Sequence, residues 1–531
     1  MDLERAHSLI ARLKGISTSE KALILIIAVL LLSAAFVPTK LVDPDDRAYY
    51  IGMKAYSDGK LTLTDAEMSN YTVSLGTALT GGGTNNGSNP NGVVPTGAGT
   101  NNGSNPNGVV PTGGGTNNAT GMRGSYNQWD KTASNTWVIE KTPGYSFILA
   151  GFYRLGIAAY TNLILAAIFL PIFYILAKRQ FGERTAVFAT ILMAFSAAFL
   201  GMLVRPYMSD FAGFVFVALS VLFYAESFKN ARPTPLFLAG LFAGISLCIR
   251  YTNGILFLVL IAHLVISNRK SLKTIIKPLT WLAAGSAIPV LLLVAYNLLV
   301  FGKIFASGYS YAFGVNFAFQ YVYWGQIDTA LAIISQNISN LPSFLLRGYP
   351  LLILLPFGIW AYGVRRSGNI SKDKWKSLLI LLFCGFFLLY AQYEWSMMGA
   401  GGAPGALSMG VNGAPMSMGV NGAPMPSGTN QSIVLNNSSL KMPAGGFGSA
   451  VSLSIGPLTV HGFSQAAYSE LARFYLPCLL PLALFGGVFL DSRVFKGRSR
   501  IARAMPYGIL LGIVVVSLVV FYLDCVLRTL V

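Results

Sequence analysis

The chain has 531 residues, of which 53% are hydrophobic and only 11% are charged, and its mean hydropathy is +0.57. This composition excludes a soluble globular protein and is typical of a polytopic membrane protein. The formal net charge of +18 would fit nucleic acid binding, but the basic residues are distributed as membrane topology requires, so we expect no nucleic acid partner.

Eleven apolar segments predict an all-α polytopic membrane protein with about eleven transmembrane helices. Several are shorter than the ~20 residues that cross a bilayer upright, so their ends are approximate. The predicted spans are residues 22–38, 158–177, 185–203, 208–227, 235–249, 253–267, 278–300, 349–364, 377–393, 472–490 and 506–524.

The positions of Lys and Arg predict the orientation. If residues 1–21 are cytoplasmic, the basic residues of segments 178–184, 229–232, 269–277, 365–376 and 493–503 all fall on the same side. This excess follows the positive-inside rule. We therefore expect a multi-pass protein of a prokaryotic plasma membrane, with the N-terminus cytoplasmic, the C-terminus outside and the first span kept as an uncleaved anchor. The predicted external loops are residues 39–157, 301–347 and 394–471.

Two of the external loops contain low-complexity inserts. Residues 81–118 repeat a unit of 16 residues, GGGTNNGSNPNGVVPT, and residues 399–428 contain SMGVNGAPM twice. Sequence this rich in Gly, Asn and Pro, without an apolar period, does not build a core. We assign neither insert a chemical role.

Three carboxylates, Asp43, Asp45 and Asp46, directly follow the first apolar segment. Acids at a helix end are often only solvated by water, so the sequence allows both a solvated and a functional role for these three residues. Concentrated negative charge where a chain leaves the bilayer indicates chemistry at the membrane surface. We expect Tyr49 onward to continue as a short helix along this surface.

Further charged residues fall at the same predicted membrane level. Arginine guanidinium groups bind phosphate through two hydrogen bonds, and carboxylates accept protons. Alternatively, these residues pair with one another or with lipid headgroups. The set comprises Asp210, Glu394 and Glu470 together with Arg205, Arg250, Arg347 and Arg473.

One reaction uses both sets of groups: the transfer of a sugar from a polyprenyl phosphate. A carboxylate would take the proton of an acceptor hydroxyl, while arginines would stabilise the charge on the departing lipid phosphate. The isoprenoid tail would stay in the bilayer, which places the site at the membrane edge. A transporter or lipid-linked-sugar flippase, and a non-catalytic membrane subunit, remain alternatives.

The sequence resembles the GT-C glycosyltransferases, in particular the branch of protein O-mannosyltransferases and aminoarabinose transferases. The resemblance covers most of the membrane region, and the order of its motifs is more specific than any one of them. The motifs are Asp45-Asp46-x-x-Tyr49, Lys141-Thr142-Pro143-Gly144-Tyr145, Phe181-Gly182, Arg205 with Asp210, Gly240-Leu241-x-x-Gly244 and Arg473-Phe474-Tyr475-Leu476-Pro477.

The resemblance implies a GT-C-like transmembrane domain over residues 22–531, with an outward-facing first loop that carries a juxtamembrane helix. It implies Asp45 or Asp46 as the base that deprotonates an acceptor, with Asp45 preferred. It also implies a polyprenyl-phosphate sugar donor, surrounding membrane lipids, and an acceptor on a protein, lipid or glycan. Phosphate would be bound by members of the set Arg205, Arg250, Arg347, Arg473 and Lys141.

This sequence departs from the family in its second acid, which is Asp rather than the commoner Glu, and in its low-complexity inserts. The histidines at 7, 263 and 461 form no ligand set, so a metal is not indicated. The three early aspartates would suit a divalent ion, but we predict no cofactor.

Overall fold

The computed structural model describes most of the apolar segments and part of the external loops. Two compact units are present: one from residues 1–79, 121–399 and 466–531, and a smaller one from residues 80–120 and 400–465. The described residues are 17–35, 44–79, 125–126, 128–132, 135–228, 232–268, 273–308, 331, 334–335, 337–338, 349–364, 370–392, 451–455, 458–463, 473–495 and 499–522.

The larger unit is mostly helical, and its helices are numbered here in chain order. They are α1 (Thr18–Ala35), α2 (Pro44–Ser57), α3 (Asp65–Leu79), α4 (Pro143–Arg154), α5 (Thr161–Phe181), α6 (Glu183–Ala194), α7 (Ala197–Leu203), α8 (Ser209–Glu226), α9 (Pro233–Ile249), α10 (Ile255–Ser267), α11 (Lys273–Phe301), α12 (Leu354–Val364), α13 (Ile370–Ala391), α14 (Leu476–Leu490) and α15 (Arg500–Phe521).

Each of the eleven predicted spans contains a helix. Among the described residues, six helices are long and apolar enough to cross a membrane, and a bent pair, α6 and α7, raises this to seven. The remaining four coincide with shorter apolar helices at Leu23–Leu32, Pro233–Ile249, Tyr251–Ser267 and Pro350–Gly363. The protein is thus a multi-pass membrane protein, and a total of eleven crossings stays a prediction.

The predicted span 185–203 is not one straight helix. It breaks between α6 and α7 with a bend of 58°. Ser196 restarts the helix, because its side chain accepts a hydrogen bond from the backbone N–H of Phe199, as an N-cap serine does. The break sends α7 toward the turn that carries Arg205.

Glycines let α9 and α11 pack closely. A Cβ at Gly240 would collide with the carbonyl of Leu282, and one at Gly285 would collide with that of Phe237. Small residues at such spacing allow helix backbones to approach inside a membrane. The predicted motif of Gly240 and Gly244 therefore has a packing role.

Ion pairs mark one rim of the bundle. Glu20, at the start of α1, lies 2.7 Å from Lys178 at the end of α5, and Arg179 lies 3.7 Å from Glu226 at the end of α8. The positively charged segment 178–184 and the start of α1 therefore share a rim, while the side of the membrane that this rim faces stays a prediction. Arg205 precedes the opposite end of α8 and contacts Asp46, so this pair and the adjacent Asp45 belong to the other rim.

The all-α prediction omitted two small sheets. Strands β1 (Ser125–Tyr126), β2 (Trp129–Lys131) and β3 (Trp137–Ile139) form an antiparallel sheet in the first loop. The described part of the smaller unit is an antiparallel pair, β4 (Val451–Ile455) and β5 (Leu458–Phe463). Both low-complexity inserts lie outside the described residues.

Candidate active site

Helix α2 carries the acids of the predicted juxtamembrane helix. Pro44 opens the helix, and Asp45 and Asp46 occupy its first turn, where the positive end of the helix dipole favours carboxylates. Tyr49, 3% exposed, packs edge to face on Tyr145 with the ring centroids 5.3 Å apart. One apolar face is buried against the sheet, in a cluster that includes Ala48, Ile51, Ala55, Trp129 and Ile139.

Asp45 lies between two cations. Its Oδ1 is 3.0 Å from Lys141 Nζ, and its Oδ2 is 3.1 Å from Arg473 Nη2. The side chain of Gln128 also hydrogen-bonds to the carboxylate. Burial disfavours the charged form, but the charges of Lys141 and Arg473 outweigh it and hold the pKa of Asp45 well below its usual range. Asp45 is therefore an ionised carboxylate with both oxygens in contact with cations.

Asp46 binds a third cation. Arg205 donates from Nη2 to Asp46 Oδ2 over 2.8 Å, and the Asp46 side chain is 2% exposed. A short charge-assisted hydrogen bond in a nearly water-free environment holds the Arg205 guanidinium in one orientation. Consecutive acids of α2 thus contact cations contributed by three distant parts of the chain.

A second acid and arginine pair adjoins the first group. Arg250 donates to Asp210, whose side chain is 2% exposed. The guanidinium of Arg250 lies over the ring of Phe474 with its Cζ 5.6 Å from the centroid, and that of Arg473 lies 5.0 Å from the same centroid. Phe474 therefore joins the Asp210 pair to the Asp45 group through cation–π contacts.

A buried pair of acids lies behind Lys141. Asp130 on β2 pairs with Val138 on β3, so Glu140, two residues further on, is its diagonal neighbour on the same face of the sheet. They are 3% and 7% exposed. Burial, and then the charge of Asp130, raise the pKa of Glu140 to about 8, which keeps its carboxyl protonated at neutral pH.

The predicted site residues divide into two groups. The structure brings Asp45, Asp46, Tyr49, Lys141, Arg205, Asp210, Arg250 and Arg473 to one rim of the larger unit. The predictions for Asp43, Arg347, Glu394 and Glu470 lie outside the described residues.

Sequence reasoning missed Gln128, Asp130, Glu140 and Asn162. Asp130 lies within β2, and Gln128 and Glu140 flank β2 and β3; these strands of three residues are too short to show a period. Asn162 is one polar residue near the start of an apolar run. Only the neighbouring motif of Lys141 to Tyr145 pointed to this region.

Within the described part of the chain, no group of three or more His, Cys, Asp or Glu side chains is arranged to hold a metal ion. The chemistry that these residues offer is that of a carboxylate in contact with lysine and arginine side chains.

Residues 140–297 match a family model described as dolichyl-phosphate-mannose-protein mannosyltransferase. The matched part is less than a third of the chain and includes Lys141, Arg205, Asp210 and Arg250. This match confirms the predicted resemblance to the GT-C membrane glycosyltransferases.

Among solved structures, the chain is similar to ArnT from Cupriavidus metallidurans, crystallised with undecaprenyl phosphate. The TM-score is 0.46 and the identity 10%, over 96% of this chain and 75% of that one. No curated protein matches the sequence.

Proposed function

We propose that the protein is an inverting glycosyltransferase that moves a sugar from a polyprenyl phosphate, dolichyl or undecaprenyl, to a hydroxyl of a protein, lipid or glycan at the outer membrane face. The observation that carries this proposal is the position of Asp45 between Lys141 and Arg473. The family match over residues 140–297 supports the reaction class, and the family's use of dolichyl-phosphate mannose supports the donor class.

Donor binding would convert Asp45 into a base. A carboxylate with both oxygens against cations is a weak base, because the cations stabilise its charge. The donor phosphate is an anion that competes for the same Lys141 and Arg473. As these cations turn to the phosphate, Asp45 loses their stabilisation, and its pKa rises toward the ordinary range. The base is thus weak until the donor is bound.

The transfer itself is a single displacement. The acceptor oxygen bonds to the anomeric carbon while the bond from that carbon to the phosphate oxygen breaks. The acceptor proton passes to Asp45, and the electron pair leaves with the polyprenyl phosphate. Attack opposite to the leaving group inverts the anomeric centre.

The cations stabilise the departing lipid phosphate, which needs no proton of its own. Charge grows on that phosphate as the bond breaks, and cations fixed beside it lower the barrier. Arg205, aimed by its bond to Asp46, and Arg250, aimed by Asp210, stand next to the Asp45 group. The charge of the leaving group thus builds up where positive groups are already in place.

The test is sugar transfer by the purified full chain in lipid vesicles, with a panel of radiolabelled polyprenyl-phosphate sugars that includes mannose, glucose and aminoarabinose. Asp45→Asn removes the base but keeps the shape, and we expect transfer to fall on the order of 10²- to 10⁴-fold. The matched control is Asp65→Asn, since Asp65, at the start of α3, is an exposed carboxylate that pairs with Lys131 of β2, and we expect this variant to keep activity.

Full transfer by Asp45→Asn would contradict the assigned base. Movement of the lipid-linked sugar across the vesicle membrane, with no transfer of any sugar in the panel, would favour the flippase instead. Labelling, in intact cells, of a single cysteine placed at either terminus of the chain would test the proposed orientation.

A further inference from the structure

The segment from Lys141 to Tyr145 makes further contacts at the site beside the ion pair of Lys141 with Asp45. It connects β3 to α4 and lies between the turn that carries Arg205 and the turn that carries Arg250. These turns follow the ends of α7 and α9. The last carbonyls of a helix lack partners within it, so each buried end needs donors from elsewhere.

At the Arg205 turn, the donors come from Tyr145 and Asn162, both fully buried. The Tyr145 hydroxyl donates to the carbonyl of Pro206 and lies 3.1 Å from Asn162 Oδ1. Asn162 Nδ2 donates to the carbonyls of Met202 and Arg205, each over 2.8 Å. Two side chains therefore donate to three carbonyls around Arg205 and fix the direction in which its side chain leaves the backbone.

At the Arg250 turn, the same segment supplies Thr142, which is 2% exposed. Its hydroxyl donates to the carbonyl of Ile249, the residue directly before Arg250. Gly144 lies against the carbonyl of Cys248, and a Cβ there would collide with it. The start of α4 is thus packed tightly on the end of α9.

These contacts share one arrangement. Each hydroxyl donates to a carbonyl adjacent to a guanidinium-bearing residue, and each comes from the segment that also bears the Lys141 ammonium. A buried hydroxyl without a hydrogen-bond partner destabilises the folded protein, so a shift of either turn would cost folding free energy. The Lys141, Arg205 and Arg250 cations are thereby held at fixed mutual positions before any anion arrives.

We infer that Thr142, Tyr145 and Asn162 are positioning residues, which hold the Arg205 and Arg250 turns in register with Lys141 so that three cations are preorganised for one lipid phosphate. This inference rests on the proposed function. It goes beyond it by assigning the geometry of the phosphate site to uncharged side chains that do not touch the substrate.

The test compares two changes that delete one buried tyrosine hydroxyl each. Tyr145→Phe removes the bond to Pro206. Tyr224→Phe is the matched control, because the Tyr224 hydroxyl is also buried and lies 2.9 Å from His263 Nδ1, away from both arginines. We expect Tyr145→Phe to lower kcat/KM for the donor on the order of 3- to 10-fold, the loss of one buried hydrogen bond, with KM for the acceptor unchanged. The control should keep both values.

A double-mutant cycle separates positioning from a general loss of stability. If Tyr145 acts through Arg205, then Tyr145→Phe has no further effect on kcat/KM for the donor once Arg205→Ala is present. Thr142→Val should show the same dependence on Arg250→Ala. Binding of polyprenyl phosphate without a sugar should weaken in parallel, and the melting temperature should change no more than in Tyr224→Phe.

Equal donor kcat/KM values for Tyr145→Phe and Tyr224→Phe, or additive effects in the double-mutant cycle, would overturn the inference. If Arg205→Ala still impaired donor use in that case, the proposed function would stand. If Arg205→Ala itself left donor use intact, the phosphate-binding role of Arg205 and the inference would fail together. Should Tyr145→Phe not fold, the Thr142→Val cycle decides by the same criteria.

Discussion

The buried acids behind Lys141 predict an unusual dependence of stability on pH, which Glu140→Gln tests. Burial and the neighbouring charge of Asp130 raise the pKa of Glu140 to about 8, from 4.5 in an unfolded chain. Glutamine keeps the size of the side chain and can still donate a hydrogen bond to Asp130, but it does not ionise. The substitution therefore removes the titration with little change in packing.

The sign follows from proton binding. Between pH 4.5 and about 8 the folded protein holds the Glu140 proton and the unfolded chain does not, so rising pH favours unfolding. Each pH unit corresponds to about 1.4 kcal/mol, and the whole window therefore to at most roughly 5 kcal/mol. This stability is fully present below pH 4.5, falls as pH rises, and is gone above about 8.

The assay is thermal unfolding of the purified chain in one detergent, at intervals from pH 5 to pH 9. We expect the wild-type melting temperature to fall across this range, and the Glu140→Gln curve to be flatter, so that the variant is the more stable protein at the alkaline end. Glu67→Gln is the control, because a backbone hydrogen bond from Thr64 and a bond from Lys60 lower the pKa of Glu67 to about 2. Its effect should be the same at every pH in the range.

A wild-type curve and a Glu140→Gln curve that run parallel from pH 5 to pH 9 would refute the reasoning. That result would mean that Glu140 is ionised in the folded protein. The acid pair would then need a cation that compensates both charges.

Two further substitutions test the frame of the site and the base. Gly144→Ala should destabilise the protein by about 1–3 kcal/mol, as overpacking does, because the added Cβ collides with the Cys248 carbonyl. Gly151→Ala on the same helix meets open space and should be neutral or stabilising. Melting temperatures compare the two variants, and equal values would contradict the collision. Arg473→Met removes one of the cations that lower the pKa of Asp45, so the acid limb of donor kcat/KM should move to higher pH. A lower plateau with an unmoved limb would mean that Arg473 serves the phosphate alone.

The helices of the bundle were largely predictable from the sequence, because a bilayer imposes long apolar segments with basic ends. The acids at the start of α2 and the segment that opens α4 were also visible, since the charges are concentrated and both segments match family motifs. The helix expected from Tyr49 onward begins earlier, at Pro44. The bend between α6 and α7 was missed, although Ser196 gives the local signal of a helix that begins again.

The pairing within the site was not predictable. The contact of Asp46 with Arg205 joins residues 159 positions apart, and no local pattern specifies which arginine meets which acid. The role of Asn162 depends on carbonyls 40 and 43 positions away, which an apolar run does not reveal. Met68 of helix α3 is buried in a cluster with Trp129 and Ile139 of the sheet, a contact between distant segments that the local sequence does not specify.

The contact between Asp45 and Arg473 joins the first and last parts of the bundle, 3.1 Å apart across more than four hundred residues of chain. A translation product that ends before Arg473 therefore lacks the guanidinium that contacts Asp45 Oδ2. Activity would report that synthesis has passed this residue and that the last helices have been inserted, and a shorter copy would be inactive in the membrane. Two co-expressed fragments divided within residues 399–428 should recover transfer only if they reassemble, which makes the enzyme a reporter of its own assembly.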